Sequence, residues 1–303
     1  MHDDELAIDE DDVRRLVAEQ FPQWRDEQVL RLAAPGTVNA IFRIGDDLAA
    51  RFPLQAVDAA EAEATLVREQ EAMAELAAHC PVPTPTGVAI GRPGRGYPMP
   101  WSVQTWVHGE TATPDATGHS VALATDLACL IRALRAADTR GRTFSGRGRG
   151  GSLRAADEWM DLCFRESEGL LPVPELRALW VSLRDLPDAG PAVMTHGDLI
   201  PANLLLDGER LVGVLDGGGF GPADPALDLV AAWHLLDADA RDVLRGNLVV
   251  DDVEWRRGAA WALQQSMGLV WYYRESLPSM SALGRSTLAR LLDAAELAAD
   301  ATG

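Results

Sequence analysis

The sequence predicts an α+β protein of two lobes: an antiparallel five-stranded sheet with one long helix in residues 1–107, and a mostly helical remainder, 108–303, that carries a β-hairpin. Three observations predict it. Five short β-type segments and a single long helical one share the first 107 residues, whereas apolar residues beyond 108 recur mostly at helical spacing. Two apolar runs on either side of Asp207-Gly208-Glu209-Arg210 break that helical pattern and read as a hairpin. Finally, 303 residues with 47% apolar content are enough to bury a core in each of two lobes. Strands grouped ahead of helices point to segregated layers rather than alternating ones.

The elements follow in order. Asp9 is placed to cap a first helix with Val13, Leu16 and Val17 on its inner face, and Glu10, Asp11 and Asp12 suit the positive end of the helix dipole. Three β-type segments come next, at 29–32, 40–44 and 48–52. The first two are joined by Pro35-Gly36-Thr37-Val38-Asn39 and the second pair by Gly45-Asp46-Asp47. Residues 59–78 are rich in Ala, Glu, Leu and Met and end before Pro81, which predicts one long helix. A proline-rich loop then leads to a strand at 87–90, a turn at Arg92-Pro93-Gly94-Arg95-Gly96, and a strand at 101–107 that runs into a connector, His108-Gly109-Glu110. Beyond it, Leu123, Leu127, Leu130, Ile131 and Leu134 mark a core helix. Residues 139–152 interleave Arg140, Arg142, Arg147 and Arg149 with glycines; the segment is short and the protein acidic, so a flexible loop is expected rather than an RNA-binding tract. Helices at 156–164 and 174–186 precede Val193-Met194, the loop at His196, and the hairpin strands 204–206 and 211–215.

The formal net charge of −19 comes from 46 acidic residues against 27 basic ones, all of them arginine. A field of that sign repels nucleic acid and anionic membrane surfaces and attracts cations. No stretch approaches the roughly 18 consecutive apolar residues of a membrane span, and the acidic start Met1-His2-Asp3-Asp4-Glu5 is unlike a secretory signal. A cytoplasmic protein with neither nucleic-acid nor membrane partners is expected. Cys80, Cys129 and Cys163 are too few and too scattered for a disulfide framework or a zinc site, and ordinary thiols are expected.

The chemistry concentrates in His196-Gly197-Asp198-Leu199-Ile200-Pro201-Ala202-Asn203, followed by Asp216 after the apolar run 211–215. Phosphoryl transfer needs a carboxylate to orient the attacking hydroxyl and oxygen ligands to hold Mg²⁺ against nucleotide phosphates. Protein kinases place these groups as H-R-D-x-x-x-x-N and then D-F-G. Here the catalytic-loop half matches in type and spacing, while the metal half reads Asp216-Gly217-Gly218. Taken singly, an Asp or Asn in such a loop is a turn former and His196 a core histidine. Together, in a strand-loop-hairpin context that puts Asn203 at the start of the hairpin and Asp216 at its end, they form a set that structure alone does not demand. The turn holding Gly36, Thr37 and Asn39 falls where a kinase has its phosphate-covering loop, and the lysine that kinases set against the inner phosphates has no counterpart in a chain without lysine.

Thr195 to Leu205, then Leu215-Asp216, then Gly221-Pro222-Ala223-Asp224-Pro225-Ala226-Leu227-Asp228-Leu229, resemble the aminoglycoside phosphotransferase family over most of the chain, with Gly36 to Asn39, Arg51-Phe52-Pro53 and Trp101 to Gly109 in matching order. The resemblance implies a bilobal protein-kinase-like fold and transfer of the γ-phosphate of ATP or GTP to a hydroxyl of a small molecule, with Mg²⁺ as cofactor. It makes Asp198 the catalytic aspartate and Asn203 and Asp216 the metal ligands, and it puts Arg51 where the family has a phosphate-binding lysine. An arginine keeps the charge and adds a fork, and that role is expected ahead of the alternative, a surface arginine at a strand end. Glu69 is expected as its partner ahead of Glu61, Glu63 and Glu71, with Thr37 and Asn39 near the phosphates and backbone groups of Thr105 and Val107 at the base. Asp228 resembles the buried aspartate that braces the catalytic loop. A monomer or homodimer is expected. The acceptor stays open: a cationic antibiotic such as an aminoglycoside, bound by acids such as Asp157, Asp161, Glu254 or Glu275, or a macrolide against Trp255, Trp261, Trp271, Tyr272 and Tyr273, or choline, homoserine or a sugar. A nucleotide-binding protein without transferase activity is the alternative from another class, and a metal-dependent hydrolase lacks a second histidine at ligand spacing.

Overall fold

The computed structural model describes residues 6–32, 38–146 and 148–297. The chain divides into two compact units: the first comprises residues up to Ala78, Pro83–His108 and Asp216–Gly218, the second His79–Val82, Gly109–Leu215 and the chain from Gly219 onward.

The first unit begins with α1 (Glu10–Gln20), whose Asp9 side chain accepts from Asp12 N–H at 2.8 Å, the cap expected from the sequence. Then come β1 (Val29–Arg31), β2 (Asn39–Ile44), β3 (Leu48–Pro53), α2 (Ala59–His79), β4 (Gly87–Gly91) and β5 (Trp101–Thr105). The five strands form one antiparallel sheet in the order β1-β2-β3-β5-β4. In β2 the burial alternates, so Ala40, Phe42 and Ile44 point inward. They meet Val13, Leu16 and Val17 of α1 in a core centred on Phe52, which stacks on Trp101 at 4.7 Å and meets Phe42 and Tyr97 edge-on. The strand expected over 101–107 stops at Thr105. There Trp106 N–H turns to Asp47 O, and the ladder on that edge ends.

The second unit contains β6 (Glu110–Thr111), α3 (Pro114–Thr117), α4 (Val121–Arg135), α5 (Asp157–Glu166), α6 (Val173–Leu183), β7 (Val193–Thr195), β8 (Leu204–Asp207), β9 (Arg210–Val214), β10 (Gly221–Ala223), α7 (Val230–Leu235), α8 (Ala238–Leu248), α9 (Asp252–Tyr272) and α10 (Pro278–Asp293). Helix α9 is its axis: Trp255, Trp261, Leu263, Met267 and Val270 are buried, and α5, α6, α7 and α10 pack around it. The hairpin β8-β9 turns over Gly208-Glu209 and gains β6 as a third strand through Glu110↔Leu206. A separate two-stranded ribbon joins β7 to β10. Neither β6 nor β10 is visible in the sequence pattern, because a two-residue strand has no periodicity and Gly-Pro-Ala has no β propensity. No helix among the described residues is long and apolar enough to cross a membrane, and Cys80, Cys129 and Cys163 are free thiols.

Candidate active site

The loop from β7 to β8 is built around a buried carboxylate. Asp228 is 1% exposed and accepts His196 N–H at 2.8 Å and Gly197 N–H at 2.9 Å. Burial pushes its pKa above the ordinary range, and the backbone N–H groups of His196 and Gly197 oppose that push. The His196 ring then ties the loop to the hairpin: Nε2 lies 2.9 Å from Leu215 O, and Nδ1 accepts from Asp198 N–H at 3.3 Å. That pairing requires the neutral ring with its proton on Nε2. His196 is therefore a buried clamp, not a base. Asn203 completes the frame by donating its side-chain amide to Asp198 O at 2.9 Å and to Asp198 Oδ2 at 3.2 Å, while its backbone carbonyl accepts Leu215 N–H. So Asp198 and Asn203 are brought together, and the amide oxygen of Asn203 is turned away from Asp198. The residue after Leu215 is Asp216.

Two further side chains reach Asp198 from far along the chain. Arg149 Nη2 and Gln265 Nε2 both lie 2.7 Å from its Oδ1. Gln265 sits on α9, and its Oε1 is 3.2 Å from Nε2 of His234, whose Nδ1 is 2.8 Å from Thr287 Oγ1. His234 is fully buried, which pulls its pKa down to about 4. In the neutral ring, Nε2–H donates to Gln265 Oε1 and so fixes which end of that amide faces Asp198. The residues that hold Asp198 thus include Arg149, Gln265 and His234. Arg149 stands in the segment read from sequence as a flexible loop, and an isolated Gln or His on a core helix carries no sequence signal of a site.

In the first unit, Arg51 of β3 donates through Nη2 to Asp216 Oδ1 at 2.9 Å. Arg51 is mostly covered, at 18% side-chain exposure, which sets aside the surface-arginine reading. Asp216 has a left-handed backbone, φ 62°, a conformation unusual outside glycine but more accessible to Asp than to most residues. At Gly217, where kinases have phenylalanine, a Cβ would meet Leu76 Cδ2 of α2 at 2.2 Å, so a larger residue there requires the leucine to move. Glu69 of α2 packs over Gly218 and lines a cleft with Arg51, Gln70, Ser102 and Gln104. Burial raises its pKa; Arg51 pulls it down again and Asp216 adds to the rise. Glu61, Glu63 and Glu71 are exposed. Thr37 lies outside the described residues. Asn39 opens β2 opposite Pro53. Thr105 has already given its N–H to Thr86 O, which leaves its carbonyl as the backbone group it can present, and Val107 lies beyond the strand end.

The acids considered for a cationic acceptor are mostly engaged. Asp157 holds Arg184 at 2.7 Å and Trp180 Nε1 at 2.9 Å, Asp161 holds Arg177 at 2.7 Å, and Glu254 pairs with Arg135 at 2.5 Å; Glu275 is exposed. Trp255 and Trp261 are core residues. The surface aromatics are instead Trp159 and Tyr272, adjoining Trp271 at ring distances of 6.1 and 5.7 Å.

A family model described as the phosphotransferase enzyme family matches residues 10–261. Among curated proteins, an aminoglycoside 3'-phosphotransferase of Escherichia coli is 31% identical over 147 residues, 45% of this chain and 53% of the relative, so the match spans about half of that relative's length. Among solved structures, the GDP complex of wild-type aminoglycoside 2'-phosphotransferase-IIIa has a TM-score of 0.66 at 18% identity, covering 94% of this chain and 99% of that one. The GDP and kanamycin complex of a related enzyme gives 0.67 at 20% identity over 92% and 97%. A macrolide 2'-phosphotransferase from Brachybacterium faecium gives 0.61 at 18% identity over 92% and 97%. At these identities the likeness establishes a shared fold.

Proposed function

The chain belongs to the phosphotransferase enzyme family, and on that premise we propose that it transfers the γ-phosphate of ATP or GTP to a hydroxyl of a small molecule, an aminoglycoside or a similar cationic antibiotic. The observation that carries this reading is the state of Asp198: a partly exposed carboxylate whose two oxygens are each oriented by fixed donors, in a loop braced from beneath by Asp228. Such a group can hold an acceptor hydroxyl in line with a phosphorus atom, and positioning supplies most of the catalysis in this reaction class. As the acceptor oxygen bonds to phosphorus and the bond to the bridging oxygen breaks, the hydroxyl proton passes to Asp198. Arg51 is assigned to the inner phosphates, its fork matched to their oxygens, with Asp216, rather than the expected Glu69, holding its head.

The fit to Mg²⁺ rests on donor chemistry. Asn203 offers an amide oxygen and Asp216 a carboxylate, and no cluster of three or more His, Cys, Asp or Glu placed for a metal occurs among the described residues. Few hard oxygen donors suit a cation that takes its remaining ligands from phosphates and water. When bound, Mg²⁺ supplies neutralisation of the charge that develops on the phosphates. A net charge of −19 favours a cationic acceptor, and a nucleoside triphosphate donor is in keeping with a cytoplasmic protein. One observation favours a second reading: Trp159 and Tyr272, 38% and 47% exposed, offer flat apolar surface suited to a large, largely apolar acceptor such as a macrolide. Nucleotide consumption against kanamycin, a macrolide and choline separates these readings. Stimulation by none, with nucleotide still bound, would instead favour a nucleotide-binding protein without transferase activity.

A further inference from the structure

Between Asp198 and Asn203 the chain reads Leu199-Ile200-Pro201-Ala202, with no cation. A cation nevertheless reaches Asp198, from the loop that precedes α5. Arg149 Nη2 lies 2.7 Å from Oδ1, and each side chain of the pair is 33% exposed, so the contact faces solvent rather than the core. Its backbone is pinned by the next residue. Gly150 has φ 111°, a Cβ there would fall 2.5 Å from Ala223 Cβ, and Gly150 O accepts Asp224 N–H at 2.8 Å. Asp224 is itself held by Arg257 and by Trp261 Nε1. Structural bracing of the catalytic loop is already provided by Asp228 and His196, which leaves the Arg149 contact without a folding role to explain it.

A carboxylate oxygen has two lone pairs, and Oδ1 spends both on Arg149 and Gln265, whereas Oδ2 accepts from Asn203 and keeps one for a hydroxyl. An acceptor hydroxyl on Oδ2 is therefore flanked by the guanidinium on Oδ1. That guanidinium has five N–H donors, and the bond to Asp198 uses one.

We propose that Arg149 is a catalytic residue, whose guanidinium donates to an equatorial oxygen of the phosphoryl group during transfer. The proposal rests on the phosphotransferase reading above. In the step, the acceptor oxygen forms a bond to the γ-phosphorus, the bond to the bridging oxygen breaks, its electron pair leaves on the nucleoside diphosphate, and the hydroxyl proton goes to Asp198. Arg149 stays protonated throughout. Charge spread over the three equatorial oxygens of a loose transition state is what a forked cation stabilises.

The test measures phosphate release from Mg²⁺–ATP and Mg²⁺–GTP, with kanamycin as acceptor and with water alone, for the wild type, R149A, R149K and D198N. R149A is expected to lower turnover about 100-fold, with nucleotide KM within about threefold. R149K should fall between, and free guanidinium at a sub-denaturing concentration should restore part of the R149A rate and none of the D198N rate. An R149A turnover within about threefold of wild type overturns the assignment. So does a loss that guanidinium leaves unchanged, since a structural defect is not repaired by a small cation. Wild-type turnover in D198N is the separate failure, of the phosphotransferase reading itself, and the role of Arg149 falls with it.

Discussion

At the scale of single residues, Asp198 accepts from Arg149 and Gln265 on Oδ1 and from Asn203 on Oδ2, so an asparagine can keep the two bonds to its oxygen while its NH2 group meets the Asn203 amide without a bond and its charge is gone. Asp198→Asn is expected to lower transfer about 1,000-fold with no large change in melting temperature, measured by phosphate release and by thermal unfolding. Arg51 makes a different prediction, because it acts on the donor. Arg51→Ala should raise nucleotide KM by about tenfold or more, and Arg51→Lys should recover part of that in a direct binding titration. Asp198, Asn203 and Asp216 could be singled out as candidates from the sequence because their spacing is local and each residue type has a chemical reason to be there. Arg149 and Gln265 were not, since they reach Asp198 across 49 and 67 residues. Arginine among glycines reads as a loop whatever the arginine touches. Likewise, Asp157, Asp161 and Glu254 look like a cation site only until their arginine partners are seen.

At the scale of elements, α8 ends on Val249 in the left-handed conformation, φ 56° and ψ 45°, with the side chain 87% exposed. A β-branched residue is strained there and contributes no burial to offset the strain. Val249→Gly is therefore expected to stabilise the protein by about 1 kcal/mol, seen as a higher denaturant midpoint; an unchanged or lower midpoint would contradict the strain argument. Several helices were legible to within a few residues: α1 with its Asp9 cap, α2 and α4 follow from caps, composition and apolar spacing, whereas the bounds of α8, α9 and α10 were not read from the sequence. Nor were the shortest strands. β6 and β10 exist only through their partners β8 and β7, and a strand that depends on its neighbour for every hydrogen bond leaves no local pattern to read.

At the scale of the whole molecule, stability depends on polar groups buried in the second unit. Asp224, Arg257 and Trp261 form a network almost wholly out of water, with Arg257 also donating to Leu186 O and Pro187 O. Asp224→Ala leaves the buried Arg257 guanidinium with only the exposed Asp188, 3.8 Å away, as counter-ion and is expected to cost about 3–5 kcal/mol, read from denaturant unfolding. His234 adds a pH dependence. Its folded pKa, about 4, lies below that of the unfolded chain, so its contribution is complete above roughly pH 6.5 and is lost as pH falls toward 4. The loss amounts to about 3 kcal/mol, and His234→Gln should flatten that limb of the melting-temperature profile. The division into a sheet-bearing and a helical unit was legible because composition changes along the chain. That Asp216–Gly218 packs with the first unit was not, since those residues follow the hairpin of the second. The central claim, that Asp198 directs phosphoryl transfer, is tested most directly by following labelled γ-phosphate from Mg²⁺–ATP and Mg²⁺–GTP onto a panel of kanamycin, a macrolide and choline, with wild-type and D198N protein side by side. The account predicts label on at least one acceptor with the wild type and almost none with D198N; equal transfer by both would contradict it.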